Sequence, residues 1–167
     1  MNNSKLKKWG LCILVLIVLK TSFSLATINQ LQWFLEPIVT IVELFTRINF
    51  TWTADVGFTS NTNIIIEKSC SGTNFYTICL LLLMIKDWNS FNIQGKLLRF
   101  LSLIVISFFI TILANSMRII SALKLASFPE LTNYINPKSS HLILGSIIYI
   151  LILLSLNHLI TKNHEQA

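Results

Sequence analysis

Charge is what this chain has least of. Its 167 residues include 13 lysines and arginines and 7 acids, 12% charged in all, against 53% hydrophobic. A water-soluble domain carries nearer a quarter charged residues. Folding alone cannot hide this much apolar surface, so a lipid bilayer is the natural solvent. Cysteine is also scarce. Three residues make no even-numbered disulfide framework. Cys12 and Cys79 lie inside apolar runs, where a thiol behaves as a small hydrophobe, which leaves Cys70 alone at a polar edge. The net charge of +6 does not mark a nucleic-acid partner. Its basic residues adjoin apolar runs, and the aromatics are not interleaved with a basic stripe. Positive ends on membrane helices account for the charge.

What is present is a set of apolar runs. About 20 helical residues cross a hydrocarbon core, and four stretches approach that length: residues 9–28, 71–85, 97–117 and 141–160. The expected architecture is an all-α integral membrane protein, one membrane-embedded domain over residues 1–167. It has about four transmembrane helices, an outer amphipathic helix and a small β-hairpin. Basic residues orient it. Lys5, Lys7 and Lys8, then Lys86, Lys96 and Arg99, then Lys162 all fall on one side, assigned to the cytoplasm. The other side carries Arg47, Lys68, Arg118, Lys124 and Lys138, offset by Glu36, Glu43, Asp55, Glu67 and Glu130. The start has a second reading. Lys5–Lys8, the apolar Leu11–Leu19 and the small residues Ser24-Leu25-Ala26 have the form of a signal peptide. Lys20 interrupts the first span and must either snorkel outward or face protein.

Residues 30–69 form the outer segment. Leu31, Phe34, Leu35, Ile38, Val42 and Phe45 recur at helical spacing, as in an amphipathic helix lying at the interface, with Pro37 suited to its first turn. Phe50, Trp52, Ala54, Val56 and Phe58 then alternate with polar residues or glycine. That is a strand period, with Ser60–Asn63 as the turn and Ile64–Ile66 as the return strand.

This hairpin delivers the chain to "EKSCSGTNFY", residues 67–76. With Ser69 as cap, Cys70 would occupy the first turn of the second span. There the free N–H groups and helix dipole favour a thiolate. Gly72 leaves room for a substrate. The third span ends in "ILANSMRII", where Asn115 and Arg118 are three residues apart on one face. The fourth follows Pro137, with Ser139 or Ser140 as cap and His141 in its first turn, where the dipole disfavours imidazolium. The topology therefore brings Cys70, Arg118 and His141 to one membrane face. Thiol acyl transfer needs these types: a nucleophile, a proton carrier and an oxyanion or substrate partner. Singly, each has a plain structural explanation: a packed cysteine, a headgroup-anchoring arginine, an interfacial histidine. One cysteine and one histidine fall short of a metal ligand set, His158 and His164 belong to the other side, and no cofactor is implied. A transporter would line its spans with polar residues, and spans two to four offer little beyond serine and threonine.

Three blocks carry a family likeness: "CSGTNF" (residues 70–75), "NSMR" (115–118) and "HLILGSIIY" (141–149). In this order, each at the end of a span, they resemble the signature blocks of the exosortase/archaeosortase family. These are multi-pass membrane transpeptidases with a Cys–Arg–His triad. The likeness covers residues 31–156 and is greatest to the compact exosortase K type. Typical members are longer, with more spans. The resemblance implies Cys70 as nucleophile, His141 as proton-transfer partner and Arg118 as stabiliser of the tetrahedral intermediate, with Asn115 and Asn74 as supporting hydrogen-bonding residues. It implies as substrates exported proteins bearing a C-terminal sorting signal, cut at the outer membrane face and passed to an amine acceptor that the sequence does not identify. The alternative is a non-catalytic membrane scaffold or assembly subunit that keeps the four spans and uses the three residues for anchoring and packing.

Overall fold

A computed structural model describes residues 3–62, 64–87, 96–126 and 137–165. Among these are five helices: α1 (Asn3–Leu25), α2 (Gln32–Thr46), α3 (Thr73–Asp87), α4 (Lys96–Ala126) and α5 (Pro137–Glu165). Two 3-10 turns, Asn29–Leu31 and Lys68–Cys70, and three short strands complete it: β1 (Phe50–Thr53), β2 (Gly57–Ser60) and β3 (Ile65–Ile66). The chain is thus mostly helical with one small sheet. Three of its described stretches, Lys68–Lys86, Leu97–Ala126 and Leu142–Lys162, are long and apolar enough to cross a membrane. The apolar stretch of α1, Trp9–Leu25, is shorter. At 1.5 Å per residue it reaches roughly 26 Å, just under a hydrocarbon core of about 30 Å. Leu142, Ile147, Ile150, Leu151 and Leu154 of α5 are all exposed. That surface would be costly in water and is at home in lipid.

Contacts divide the chain into two compact units: residues 1–26, 73–111 and 157–167, and residues 27–72 and 112–156. In the first unit α1 packs on α3. Phe23 meets Tyr76 edge to face, with centroids 5.9 Å apart, and the Lys20 ammonium donates to the Asn74 amide oxygen at 2.6 Å. Lys20 therefore reaches across to α3. On α3, Phe75, Tyr76, Cys79, Leu80, Leu83 and Met84 are buried, one face at helical spacing. On α4, Leu103, Ser107 and Thr111 are buried at four-residue steps. Small residues in such a row let helices approach closely in lipid.

The second unit holds α2 and the sheet. The face of α2 formed by Phe34, Leu35, Ile38, Val39 and Val42 is buried, as the hydrophobic spacing requires. Phe45, expected on that stripe, is exposed, because it sits beside the helix end at Arg47, where the backbone turns left-handed (φ 59°). Pro37 is the sixth residue of α2 rather than in its first turn. An interior proline loses one hydrogen bond and costs about 3 kcal/mol. Burial of five large side chains outweighs this at roughly 1.5–3 kcal/mol each.

The expected two-stranded hairpin is a three-stranded antiparallel meander, in the order β1-β2-β3. Phe50 pairs with Ser60 and Trp52 with Phe58, then Phe58 pairs with Ile66. Residues 50–58 are not one strand because Asp55 (φ 60°) and Gly57 (φ 119°) turn the chain. Asn29 holds that turn, donating from Nδ2 to the Asp55 carboxylate at 2.9 Å and accepting the Asp55 N–H at 3.2 Å. A Cβ on Gly57 would stand 2.5 Å from the Ile66 carbonyl oxygen, so glycine is needed where β2 begins. The Glu43 carboxylate accepts the Phe50 N–H at 2.7 Å, fastening β1 to α2.

Candidate active site

The second unit brings Cys70, Asn115 and Arg118 into one hydrogen-bonded cluster. Cys70 does not lie in the first turn of a membrane helix, as the capping pattern suggests. It ends the 3-10 turn Lys68–Cys70, and α3 begins only at Thr73. Gly72 causes the break: its φ of 73° is left-handed, open to glycine and closed to a continuing helix. The Cys70 N–H is accordingly not a free helix-end donor, since it bonds the Glu67 carbonyl at 2.8 Å. The half-buried Cys70 sulfur lies 3.8 Å from the Ser69 hydroxyl, which donates to the Glu67 carboxylate at 2.8 Å.

Arg118 also differs from expectation. The third span does not end at Met117. The helix α4 continues to Ala126, so Arg118 projects from a helix interior, one turn beyond Asn115 on the same face. Asn115 is fully buried, and its Nδ2 donates to the Cys70 carbonyl. Its Oδ1 accepts the Tyr149 hydroxyl at 2.7 Å. Tyr149 in turn accepts from Arg118 Nη1 at 3.1 Å, and the guanidinium carbon stands 5.6 Å from its ring centroid. The result is a directional chain. Arg118 N–H donates to Tyr149, Tyr149 O–H donates to Asn115, and Asn115 N–H donates to the main chain of Cys70. The amide of Asn115 has only one workable orientation, because a flip would set its oxygen against the Cys70 carbonyl, acceptor to acceptor. The cationic stem is held partly by the π-face of Tyr149. Arg118 Nε is buried and finds no partner among the described residues.

Tyr149 and Gly145 carry no assigned role in the sequence reading, yet both shape the cluster. A Cβ on Gly145 would stand 2.7 Å from Arg118 Cδ and 3.2 Å from Cγ, so the bare backbone of α5 is the floor on which the arginine stem lies. The sequence did contain a signal. A lone glycine in an apolar helix marks a close approach, and Tyr149 follows it by one turn, at i+4, on the same face.

No family model, curated protein or solved structure matches the chain.

The cluster must therefore be judged on its own geometry. His141 lies on α5, which starts at Pro137. Ser139, Ser140 and His141 are therefore inside the helix, and neither serine caps it. The His141 side chain lies outside the described residues. Asn74 belongs to the first unit, where Lys20 donates to it. Among the described residues, no three His, Cys, Asp or Glu side chains come together as a metal site. Chemically, the cluster offers a half-buried thiol on a turn braced through its carbonyl. It also offers a guanidinium with one N–H committed to Tyr149 and others able to meet an oxyanion or a carbonyl oxygen.

Proposed function

We propose that this protein is a membrane cysteine transpeptidase of exosortase type, cutting C-terminal sorting signals from exported proteins and passing the new acyl end to an amine acceptor. The observation that carries the reading is the unbroken polar chain from the Arg118 guanidinium through Tyr149 and Asn115 to the main chain of Cys70. It joins two residues of the expected triad in one unit although they are 48 positions apart in the sequence. In this reading His141 takes the Cys70 thiol proton. The sulfur bonds to the scissile carbonyl carbon, and the oxyanion is stabilised by Arg118. Collapse breaks the C–N bond, and the leaving amine takes the proton from His141. An amine acceptor then attacks the thioester and releases the thiol. Asn115 and Tyr149 hold the geometry. The four-span topology, with the cluster on the extracytoplasmic face of the cell (inner) membrane, follows from the basic residues at the other helix ends. Gly72, two residues after Cys70 and left-handed at φ 73°, adds no side chain of its own to that turn.

A scaffold would keep the same brace for packing alone, and one experiment separates the two. Cells carrying wild type, Cys70→Ala or Cys70→Ser are compared for processing of tailed surface proteins. Intact-mass analysis of the wild type then looks for a thioester adduct on Cys70. The transpeptidase reading expects processing to stop in both variants and the adduct to be lost with the sulfur. Normal processing in both variants would leave the scaffold.

A further inference from the structure

We propose that Glu67 and Ser69 form the subsite that receives the amine acceptor, and that the acceptor binds there as a primary ammonium. The inference rests on the transpeptidase reading and adds to it the place and the charge of the second substrate. The turn that carries Cys70 has two unlike sides. After the cysteine, Ser71 and Gly72 are buried; before it, Glu67 and Ser69 are exposed. The Cys70 carbonyl is taken by Asn115 and its N–H by the Glu67 carbonyl. A water-borne reactant therefore meets the half-buried sulfur beside Glu67 and Ser69. Ser69 links the other two. Its oxygen is 3.8 Å from the sulfur, and its proton goes to the Glu67 carboxylate at 2.8 Å. With that single proton committed, Ser69 meets the sulfur only as an acceptor of the S–H. An acyl-enzyme has no S–H, so formation of the thioester vacates the serine lone pairs at the reacting atom.

The second half of the reaction needs acceptors at that spot. A primary amine is an ammonium near neutral pH, as lysine is, and an ammonium offers donors only. A carboxylate has about four acceptor positions, and Ser69 occupies one of those on Glu67. Glu67 and Ser69 together can thus take two N–H groups next to the sulfur. Other acids of the same unit have different work: Glu43 holds the Phe50 N–H, and Asp55 is tied to Asn29. Arg118 repels an ammonium and suits the oxyanion, so the two charged species have separate places. The ammonium gives one proton to water, and its nitrogen bonds to the thioester carbonyl carbon. The C–S bond breaks, and the thiolate takes the second proton that the nitrogen sheds as the amide forms. A nucleophile held beside the thioester competes with water at a raised effective concentration, so this subsite sets the balance between transfer and hydrolysis.

Membranes from cells carrying the full chain and tailed surface proteins test this. They are given ethanolamine, an ammonium near neutral pH, or hydroxylamine, a small nucleophile that is neutral there. Mass spectrometry of the new C-termini yields the ratio of amine-bearing to hydrolysed ends, which does not depend on how much enzyme is folded. Glu67→Gln keeps an oxygen for the Ser69 hydroxyl and removes the charge. It should lower the ethanolamine ratio about fivefold, the upper end for an exposed ion pair, and leave the hydroxylamine ratio unchanged. Glu67→Asp, with the charge one methylene further back, should fall between wild type and Glu67→Gln for ethanolamine. An ethanolamine ratio that survives Glu67→Gln, an equal fall for both amines, or hydrolysed ends alone from the wild type overturns the subsite while Cys70-dependent cleavage stands. Absence of that cleavage in the wild type overturns the transpeptidase reading and the subsite with it.

Discussion

Replacing Tyr149 by Phe removes one oxygen atom and keeps the ring. In the native chain that oxygen accepts from Arg118 and donates to Asn115. The Asn115 side chain is fully buried, so its Oδ1 would lose its donor where no water can replace it. Leaving such an acceptor unmade costs about 1–3 kcal/mol in proteins generally. Interhelical hydrogen bonds in membranes average about 0.6 and reach about 1.7 kcal/mol by double-mutant cycles. We therefore expect Tyr149→Phe to destabilise by about 1–2 kcal/mol. The assay is equilibrium unfolding in mixed micelles, run on Tyr149→Phe, Asn115→Ala and the double variant. If the chain of hydrogen bonds is real, the double variant loses less than the sum of the singles, by about 0.6–1.7 kcal/mol. Additivity within about 0.5 kcal/mol would refute the coupling, and with it the claim that Arg118 and Cys70 are braced through a shared network.

Two glycine substitutions probe the site and the sheet separately. Gly145→Ala sets a methyl group 2.7 Å from Arg118 Cδ. Overpacking costs about 1–3 kcal/mol, but alanine regains about 1 kcal/mol of helix propensity. The unfolding midpoint should therefore move little, while the sorting-signal cleavage proposed above should fall about 100-fold as the guanidinium is displaced. Unchanged cleavage would show that the arginine stem need not lie against α5. Gly57→Ala combines a forbidden φ with a 2.5 Å contact to the Ile66 carbonyl. It should destabilise by about 1–3 kcal/mol, and limited proteolysis should cut faster within residues 57–66. Wild-type protease resistance there would contradict the β2–β3 pairing.

Periodicity served the reading of the chain well wherever one period held over many residues. The buried face of α2 follows from Phe34, Leu35, Ile38 and Val42 because a helix spaced at 3.6 residues has one way to hide them. It was a poor guide at breaks. Alternation from Phe50 to Phe58 has the form of one strand, and two left-handed residues, Asp55 and Gly57, divide it. Local propensity does not announce a positive φ at aspartate. The helix ends failed for a related reason. Apolar length sets where a helix can lie in lipid, not where it stops, so α4 passes Met117 and runs to Ala126. The start of α3 was lost to Gly72, whose conformation decided against a cap at Ser69.

Composition and hydrophobic runs were enough to expect a mostly helical chain with stretches apolar enough for a bilayer, while span ends and the family-like blocks nominated Cys70, Arg118 and His141, with Asn115 and Asn74 in support. The first conclusion rests on quantities that add along the chain, apolar surface and charge; the second rests on order and position along it. Folding decided the rest. It put Tyr149 between Arg118 and Asn115, laid the arginine stem over Gly145, turned Asn115 onto the carbonyl of Cys70, and drew Asn74 to Lys20. These pairings join residues 27 to 54 positions apart. They depend on which faces of separate helices meet and at what depth, and a one-dimensional pattern holds no record of either.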